Sequence, residues 1–416
     1  MTRSNLAALL FLGSTGTLWG QPEQLRRRIA DTLFVPEPAP ALSPVHYGDF
    51  EPVPGVVAER ISYGTEFGMR IPAILYRPAH RGVAKAPALV VVNGHGGDKY
   101  AWYSFYAGIL YARAGAFVLT YDPIGEGERN RERKSVTRQH DTPVPPEEMG
   151  RRMAGLMITD VRQAVSYLSQ RTEVDPSRIA AAGYSMGSFV LGITCAIETR
   201  LRACVLVGGG NLDAPGGYWD RSSHIMCQAI PYKSLLFLGD RGAALYHLHA
   251  LRGETFVFNG TVDGVVTSEP EGPEAFFADL RQRTIALHGR RQNVFEYGFE
   301  QGAGHRPYFV TRPVALWLQR QLHFPGWTEA RIARLPETHI GEWKLREKVF
   351  IEAAYNTEVR EAGVRALGSG IPGLTREQLT AVPIAEWERD KDRFIYEKWI
   401  EEARQAILAG ASAKRE

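Results

Sequence analysis

Short apolar strands alternate with helix-length segments through the middle of this chain, and this alternation limits the possible fold more than any other feature. Continuous apolar runs stand at 88–92 (ALVVV), 116–121 (AFVLTY) and 203–207 (ACVLV). Such runs are typical of strands that are buried on both faces of a sheet. Helix-length segments lie between and around them, at 101–114, 151–170 and 188–197. This order predicts an α/β protein with a mostly parallel central sheet and helices on both faces.

The remaining strands are predicted from shorter patterns. Residues 56–63 and 70–76 indicate a hairpin around Gly64 and Gly68, and Pro72 suggests that its second strand lies at a sheet edge. Three further strands are predicted at 178–182, 254–259 and 293–299. A short basic helix is expected at 24–34, and the proline-rich segment 35–55 is expected to be extended surface chain.

The N-terminal segment has the order of a secretory signal peptide. Arg3 precedes the apolar stretch 6–12, and small and polar residues follow before Gln21. We therefore predict a signal peptide at 1–20 and a secreted or periplasmic protein. If this segment is instead a partly buried N-terminal helix, the expected location is cytoplasmic.

Charge and cysteine content exclude several classes of protein. The net charge is only +3, with acids and bases intermixed, which argues against a nucleic-acid surface. No apolar run is long enough to span a bilayer. The odd, low count of three cysteines (Cys195, Cys204 and Cys227) excludes a disulfide framework, although an exported protein could still form one bridge.

Ser185 is the candidate nucleophile. It stands in Gly183-Tyr184-Ser185-Met186-Gly187, a G-x-S-x-G pattern between the predicted strand 178–182 and the predicted helix 188–197. A strand, a tight turn and a helix are the context that a nucleophile elbow needs, because the strained turn leaves no room for side chains two residues either side of the serine. The serine would then project beyond the carboxyl ends of the parallel strands.

A serine hydroxyl needs a base and an orienting acid, which follow it in this chain order in such folds. His305 lies in the glycine-containing loop after strand 293–299 and is the predicted base. Asp263, four residues after strand 254–259, is the predicted acid. Asp213, after strand 203–207, remains the alternative acid; otherwise it is a turn residue.

Two backbone amides are predicted to stabilise an oxyanion, those of Met186 and Gly97. Gly97 belongs to the loop NGHGGDKY that follows strand 88–92, and His95 in that loop is expected to give structural support. The pair His247 and His249 is predicted to lie at the surface rather than to bind a metal.

The chain resembles the α/β-hydrolase superfamily over about residues 55–325. The resemblance rests, in order, on VVVNGHGGDK, YDPIGEGER, VDPSRIAAAGYSMGS, NGTVDGVV and GAGHRPYF. The stretch around Ser185 is similar to bacterial esterases of the acetylxylan-esterase and dienelactone-hydrolase-like groups. Dienelactone hydrolases proper use a cysteine nucleophile, so serine points to the esterases. The resemblance implies hydrolysis of a carboxylic ester through an acyl-enzyme by Ser185, Asp263 and His305, without metal or organic cofactor. Two alternatives are a peptidase of the prolyl-oligopeptidase kind and a non-catalytic binding protein on the same fold.

The resemblance also divides the chain. We predict an N-terminal helix and proline-rich segment at 21–55, a catalytic domain at 56–325 with a cap-like insertion at 208–250, and a helical extension at 326–416 without strands. The extension is expected to pack on the core, or else to form an oligomer contact or a substrate rim. A carbohydrate ester would suit aromatic residues in segments expected at the rim of the site, namely Trp102, Tyr103, Tyr106, Tyr218 and Trp219; the alternative for these residues is packing in the core or in loops. Asp122 is expected to be structural, with Glu128 or Arg129 as possible substrate contacts.

Overall fold

A nine-stranded sheet forms the centre of the molecule. The computed structural model describes residues 21–80, 82, 84–222, 227–266, 272–289, 294–349 and 364–413, so the predicted signal peptide lies outside the described residues. The strands are β1 Val45–Val53, β2 Val56–Gly64, β3 Arg70–Pro78, β4 Ala86–Val92, β5 Phe117–Tyr121, β6 Val174–Tyr184, β7 Ala203–Val207, β8 Glu254–Gly260 and β9 Glu296–Glu300. Their order is β1-β2-β3-β5-β4-β6-β7-β8-β9. The six strands from β5 to β9 in this order are parallel, and β1, β2 and β3 join them antiparallel, as the α/β prediction requires.

Helices connect and cover the strands. They are α1 Pro22–Thr32, α2 Trp102–Arg113, α3 Glu148–Gln170, α4 Met186–Ile197, α5 Tyr218–Arg221, α6 Ala229–Ser234, α7 Arg241–Ala250, α8 Pro273–His288, α9 Arg312–Leu322, α10 Glu329–Arg334, α11 Ile340–Arg346, α12 Arg376–Leu379, α13 Ile384–Arg389 and α14 Tyr396–Ala413. Their apolar faces form two cores, one on each side of the sheet. Apolar residues of α1, α3, α4, α7 and α8 contribute to one core, and those of α2, α9 and most of the C-terminal region contribute to the other.

The proline-rich segment 35–55 is extended and mostly at the surface, as predicted, and part of it forms β1, which pairs with β2 as the edge strand. One prediction for this antiparallel side of the sheet was wrong. Pro72 does not mark an edge, because β3 lies between β2 and β5. The proline is tolerated there since pairing of β3 with β5 begins only at Ala73, so its missing N–H costs no bond to β5.

The C-terminal extension packs on the core, as predicted, but it does contain strands. Glu337–His339 (β10) pairs antiparallel with Arg365–Leu367 (β11). Strands of three residues are too short to show an alternating pattern in the sequence. Buried Glu128 anchors the extension: its carboxylate accepts the amides of Ala381 (2.7 Å) and Val382 (3.0 Å), and its carbonyl accepts the indole N–H of Trp387 (2.8 Å).

The segment between β7 and β8 is only partly an insertion. Helix α7, within the predicted insertion 208–250, packs its buried face into the same core as α4 and so serves as an ordinary crossover helix. His247 and His249 were predicted to be exposed but are buried on this helix. His249 Nδ1 lies 2.5 Å from the Thr255 hydroxyl, which explains how its ring is accommodated there.

One disulfide joins α4 to β7, between Cys195 and Cys204. Cys227 is buried with a free thiol. Within the described residues, no helix is both long and apolar enough to cross a membrane.

Candidate active site

Ser185 occupies a strained turn between β6 and α4. Its φ of 54° and ψ of −117° are unusual for a residue with a side chain. The flanking glycines allow this turn: a Cβ on Gly183 would lie 2.5 Å from the Gly187 carbonyl oxygen, and one on Gly187 would lie 2.2 Å from the Val92 carbonyl oxygen. The Ser185 amide donates to the Val207 carbonyl (2.9 Å), which fixes the turn against the next strand. The sequence pattern therefore corresponds to a sterically required strand-turn-helix.

His305 and Asp263 meet at the carboxyl end of the sheet. His305 Nδ1 lies 2.9 Å from Asp263 Oδ2 and 3.1 Å from Oδ1. The carboxylate is fully buried, and its Oδ1 also accepts the amides of Val265 (2.9 Å) and Val266 (3.2 Å). These bonds orient Asp263 and leave Nε2 of the His305 ring for other partners.

Glycines bring the loops of this site close together. A Cβ on Gly260 would lie 2.0 Å from the Ala303 carbonyl oxygen, so the loops after β8 and β9 can touch only at a glycine. Gly208 has a φ of +59°, and its Cβ would lie 2.8 Å from His305 Cε1. Ser185 and His305 both line one cavity of about 260 Å³ with this glycine. The structure thus brings the three predicted residues to one end of the sheet.

The alternative acid Asp213 lies elsewhere. Its Oδ2 accepts the amide of Trp219 (3.0 Å), and its Oδ1 is 3.6 Å from the guanidinium of Arg241. It holds the segment between β7 and α7 rather than the ring of His305.

The predicted oxyanion amides differ in their surroundings. The Gly97 amide donates to the Gly94 carbonyl at 2.9 Å, so it is already used within the loop. Gly94 approaches the nucleophile closely, since a Cβ there would lie 3.1 Å from Ser185 Cβ. The next residue, His95, therefore borders the cavity of Ser185 and His305, whereas Gly97 borders only a second cavity.

Comparison with known proteins identifies the fold. Residues 147–327 match the model of the prolyl oligopeptidase family. The structure superposes on Methylesterase BT1017 with a TM-score of 0.55 at 16% identity, covering 87% of this chain and 75% of that one. It superposes on a glucuronoyl esterase from Solibacter usitatus with a TM-score of 0.51 at 14% identity, covering 73% and 92%. The chain has the α/β-hydrolase fold.

A curated relative matches over a shorter length. YtaP of Bacillus subtilis (strain 168), which is named as a hydrolase, is 35% identical over 80 residues, 17% of this chain and 27% of that protein. The chain spans less than half the length of the curated relatives that it matches, at 27% and 47%.

The start of the segment after β5 is buried beside the site, whereas Arg138, further along it, lines the Ser185 cavity. Lys99 forms buried ion pairs with Asp122 and, at 2.7 Å, with Glu128. Burial alone would lower the pKa of Lys99, but these carboxylates raise it above its usual value. Arg129 pairs with Asp160. Complete burial of Glu128 and Arg129 excludes the possible substrate contacts considered from the sequence.

A larger cavity of about 590 Å³ adjoins the Ser185 cavity and shares His95 with it. Helix α2 and the C-terminal extension both line it, through Trp102 and Tyr103 on one side and Leu374 and Leu379 on the other. Trp102, Tyr103, Tyr106 and Trp219, considered above as rim residues, are mostly core side chains with little exposed area. Parts of Trp102 and Tyr103 nevertheless face the larger cavity.

The side chain of His95 lies in a cluster that the sequence analysis did not predict. Its Nε2 is 3.0 Å from Asp141 Oδ1 and 3.3 Å from Cys227 Sγ, and its ring stacks on that of His140 at 5.5 Å. Burial and the neighbouring His95 lower the pKa of His140 to about 4, and burial next to Asp141 raises that of Cys227. The unpaired third cysteine was the one sequence signal for this cluster.

Proposed function

We propose that this protein is a serine hydrolase that cleaves carboxylic esters through an acyl-enzyme. The observation that carries the proposal is the strained turn at Ser185, facing the same cavity as a histidine that is hydrogen-bonded to a buried carboxylate. This combination is what an activated serine needs, namely an exposed hydroxyl, a base and a group that fixes the base's tautomer.

In the proposed mechanism, His305 Nε2 takes the proton of Ser185 as Oγ attacks the ester carbonyl. The amides of Met186 and His95 stabilise the oxyanion, and Gly97 remains the first-predicted alternative for the second donor. The imidazolium, paired with Asp263, then gives its proton to the departing alcohol. Water repeats the sequence on the acyl-enzyme: His305 takes its proton, hydroxide adds to the carbonyl, and Ser185 leaves with the proton as the acid is released.

The cavity suggests the class of ester. At about 260 Å³ it suits a short acyl group, and Asn211, Gln228 and Trp219 provide polar and aromatic contacts at its wall. One structural relative is named as a methylesterase, and another as a glucuronoyl esterase, a name that contains a sugar acid and so supports an ester of a carbohydrate. We propose esterified carbohydrates, acetylated ones among them, as substrates.

Export is proposed on separate grounds. Disulfides persist mainly in oxidising compartments, and Cys195 is bonded to Cys204. This supports the secreted or periplasmic location that the N-terminal sequence predicts.

A peptidase is the second candidate, because the family model that matches residues 147–327 is that of prolyl oligopeptidases. Both candidates would use Ser185, so labelling by a fluorophosphonate tests the nucleophile and kinetics tests the substrate. We expect wild-type protein to be labelled and Ser185→Ala to lose both labelling and p-nitrophenyl acetate hydrolysis. Full activity in that variant would refute the proposal. Across acetyl sugars, methyl uronates, aryl esters and short prolyl peptides, a kcat/KM highest for a peptide would favour the peptidase.

A further inference from the structure

Four potential metal ligands converge beside the candidate active site. Within the described residues, one ligand atom each from His95, His140, Asp141 and Cys227 lies within 4.8 Å of the other three. They come from three separate segments: the loop after β4, the 3₁₀ turn Gln139–Asp141, and the start of the segment that leads into α6. The fold therefore assembles this cluster, which we call the His95 cluster.

The spacing within the His95 cluster is close to that around a tetrahedral ion. Asp141 Oδ1 lies 3.0 Å from His95 Nε2, 3.0 Å from Cys227 Sγ and 3.8 Å from His140 Nε2. With metal–ligand bonds of about 2.0 to 2.3 Å, the edges of a tetrahedron are roughly 3.3 to 3.8 Å long. Small movements of the side chains would thus open a central position.

His140 provides an independent observation. Its side chain is fully buried, and within the described residues neither ring nitrogen has a side-chain hydrogen-bond partner; its nearby polar groups are the Ile124 backbone and, 3.8 Å from Nε2, Asp141 Oδ1. A buried polar group without a partner is costly and is rare in folded proteins. An ion held between His140 and its three neighbours would satisfy this ring.

The outer contacts of the cluster also suit a ligand set. Asp141 directs Oδ1 into the cluster, whereas its Oδ2 accepts a hydrogen bond from Arg138 Nε at 2.7 Å. Outer hydrogen bonds of this kind hold ligating carboxylates in place. Asp141 would then be a monodentate ligand.

We propose that His95, His140, Asp141 and Cys227 bind a divalent transition metal ion of the zinc class. Two imidazoles and a thiolate favour Zn²⁺ or Co²⁺ over Mg²⁺ or Ca²⁺, which prefer oxygen ligands. On binding, the Cys227 thiol releases its proton to solvent and the thiolate coordinates the ion without a redox change. The other His–cysteine group, Cys195, Cys204 and His249, offers no thiolate because its cysteines form a disulfide.

The site would connect three parts of the molecule. It would join the loop that carries the His95 amide to the turn Gln139–Asp141 and to Cys227. The ion's role is then to position this loop, and binding can be measured without any assay of hydrolysis. The proposal therefore stands or falls separately from the esterase proposal.

The test is a Co²⁺ titration of tag-free, full-length protein after treatment with a chelator, followed by competition with Zn²⁺. We expect one Co²⁺ per chain, a thiolate-to-cobalt charge-transfer band, and displacement by Zn²⁺. Cys227→Ser is nearly isosteric and should abolish the band, and His140→Gln should weaken binding by about 100-fold or more. His288→Gln removes a histidine outside the cluster and should bind like wild type.

Circular dichroism checks that the variants fold, and Asp141→Asn replaces either variant that does not. It should weaken binding by about tenfold or more, because it removes the ligand charge. The proposal is overturned if wild-type protein binds no Co²⁺. It is also overturned if the folded cluster variants bind Co²⁺ as wild type does, or if the band persists without Cys227.

Discussion

Two histidine–carboxylate pairs lie at the same cavity, and their surroundings suit them to different chemistry. His305 and Asp263 are 2.9 Å apart, and His95 and Asp141 are 3.0 Å apart. Asp263 is fully buried and accepts two backbone amides besides the imidazole. Such a carboxylate can only orient its histidine and stabilise its cation, as proton transfer at a serine requires.

The second pair has additional ligand atoms instead of backbone donors. Cys227 Sγ lies 3.0 Å from Asp141, and the buried His140 ring stacks on His95. Sulfur and imidazole nitrogen are ligands that transition metals of the zinc class prefer. A distance between a histidine and a carboxylate therefore says little about function until the groups around the pair are known.

Replacing the imidazole of His305, in the first pair, should have the largest effect on hydrolysis. We expect His305→Gln to lower kcat for p-nitrophenyl acetate by roughly ten-thousandfold to a millionfold, because Ser185 loses its base. The exposed pair of His46 and Asp49 on β1 provides a matched control, since His46→Gln removes a histidine that is equally bonded to an aspartate. A His305 variant with the activity of the His46 variant would contradict the assignment.

Replacing Asp263, the carboxylate of the first pair, should have the second-largest effect on hydrolysis. Asp263→Asn should lower kcat by roughly a thousandfold to ten-thousandfold, because an amide can stabilise the wrong tautomer of His305 and cannot stabilise its cation. Asp213→Asn tests the alternative from the sequence and should retain much more activity. The measurement is kcat in single-turnover and steady-state assays of both purified variants; a larger loss in Asp213→Asn would reverse the assignment.

The same contrast explains what the sequence could predict. Ser185, Asp263 and His305 each follow a parallel strand, so strand order alone brings them to one end of the sheet. The strand-turn-helix around Ser185 was likewise predictable from its glycines. His140, Asp141 and Cys227 lie in irregular segments with no ligand spacing, and only folding of these loops brings them together. The same reason applies to the Gly97 amide, whose bond to Gly94 depends on loop conformation.

The disulfide between Cys195 and Cys204 is expected to affect stability, whereas Cys227 belongs to the His95 cluster. Replacing Cys195 and Cys204 by alanine should lower the free energy of unfolding by about 3 kcal/mol, since the bridge closes a short loop in the unfolded chain. Urea denaturation of the wild type and the double variant measures this change. Both proteins should bind Co²⁺ equally, because the bridge lies outside the His95 cluster; a loss of binding in the double variant would contradict that separation.

Replacing Asp141, the carboxylate of the second pair, should have the smallest effect on hydrolysis. Asp141→Asn should lower kcat by less than about tenfold, because Asp141 acts only by positioning His95, and the backbone amide of His95 is kept. If the ion positions this loop, Zn²⁺ should raise the kcat of chelator-treated wild-type protein and leave that of the variant nearly unchanged. KM should change little in either case, because the amide acts on the oxyanion more than on the bound ester. If Zn²⁺ changes the kcat of both proteins equally, the ion does not act on catalysis through Asp141. If Asp141→Asn lowers kcat as much as Asp263→Asn does, the two pairs share one role.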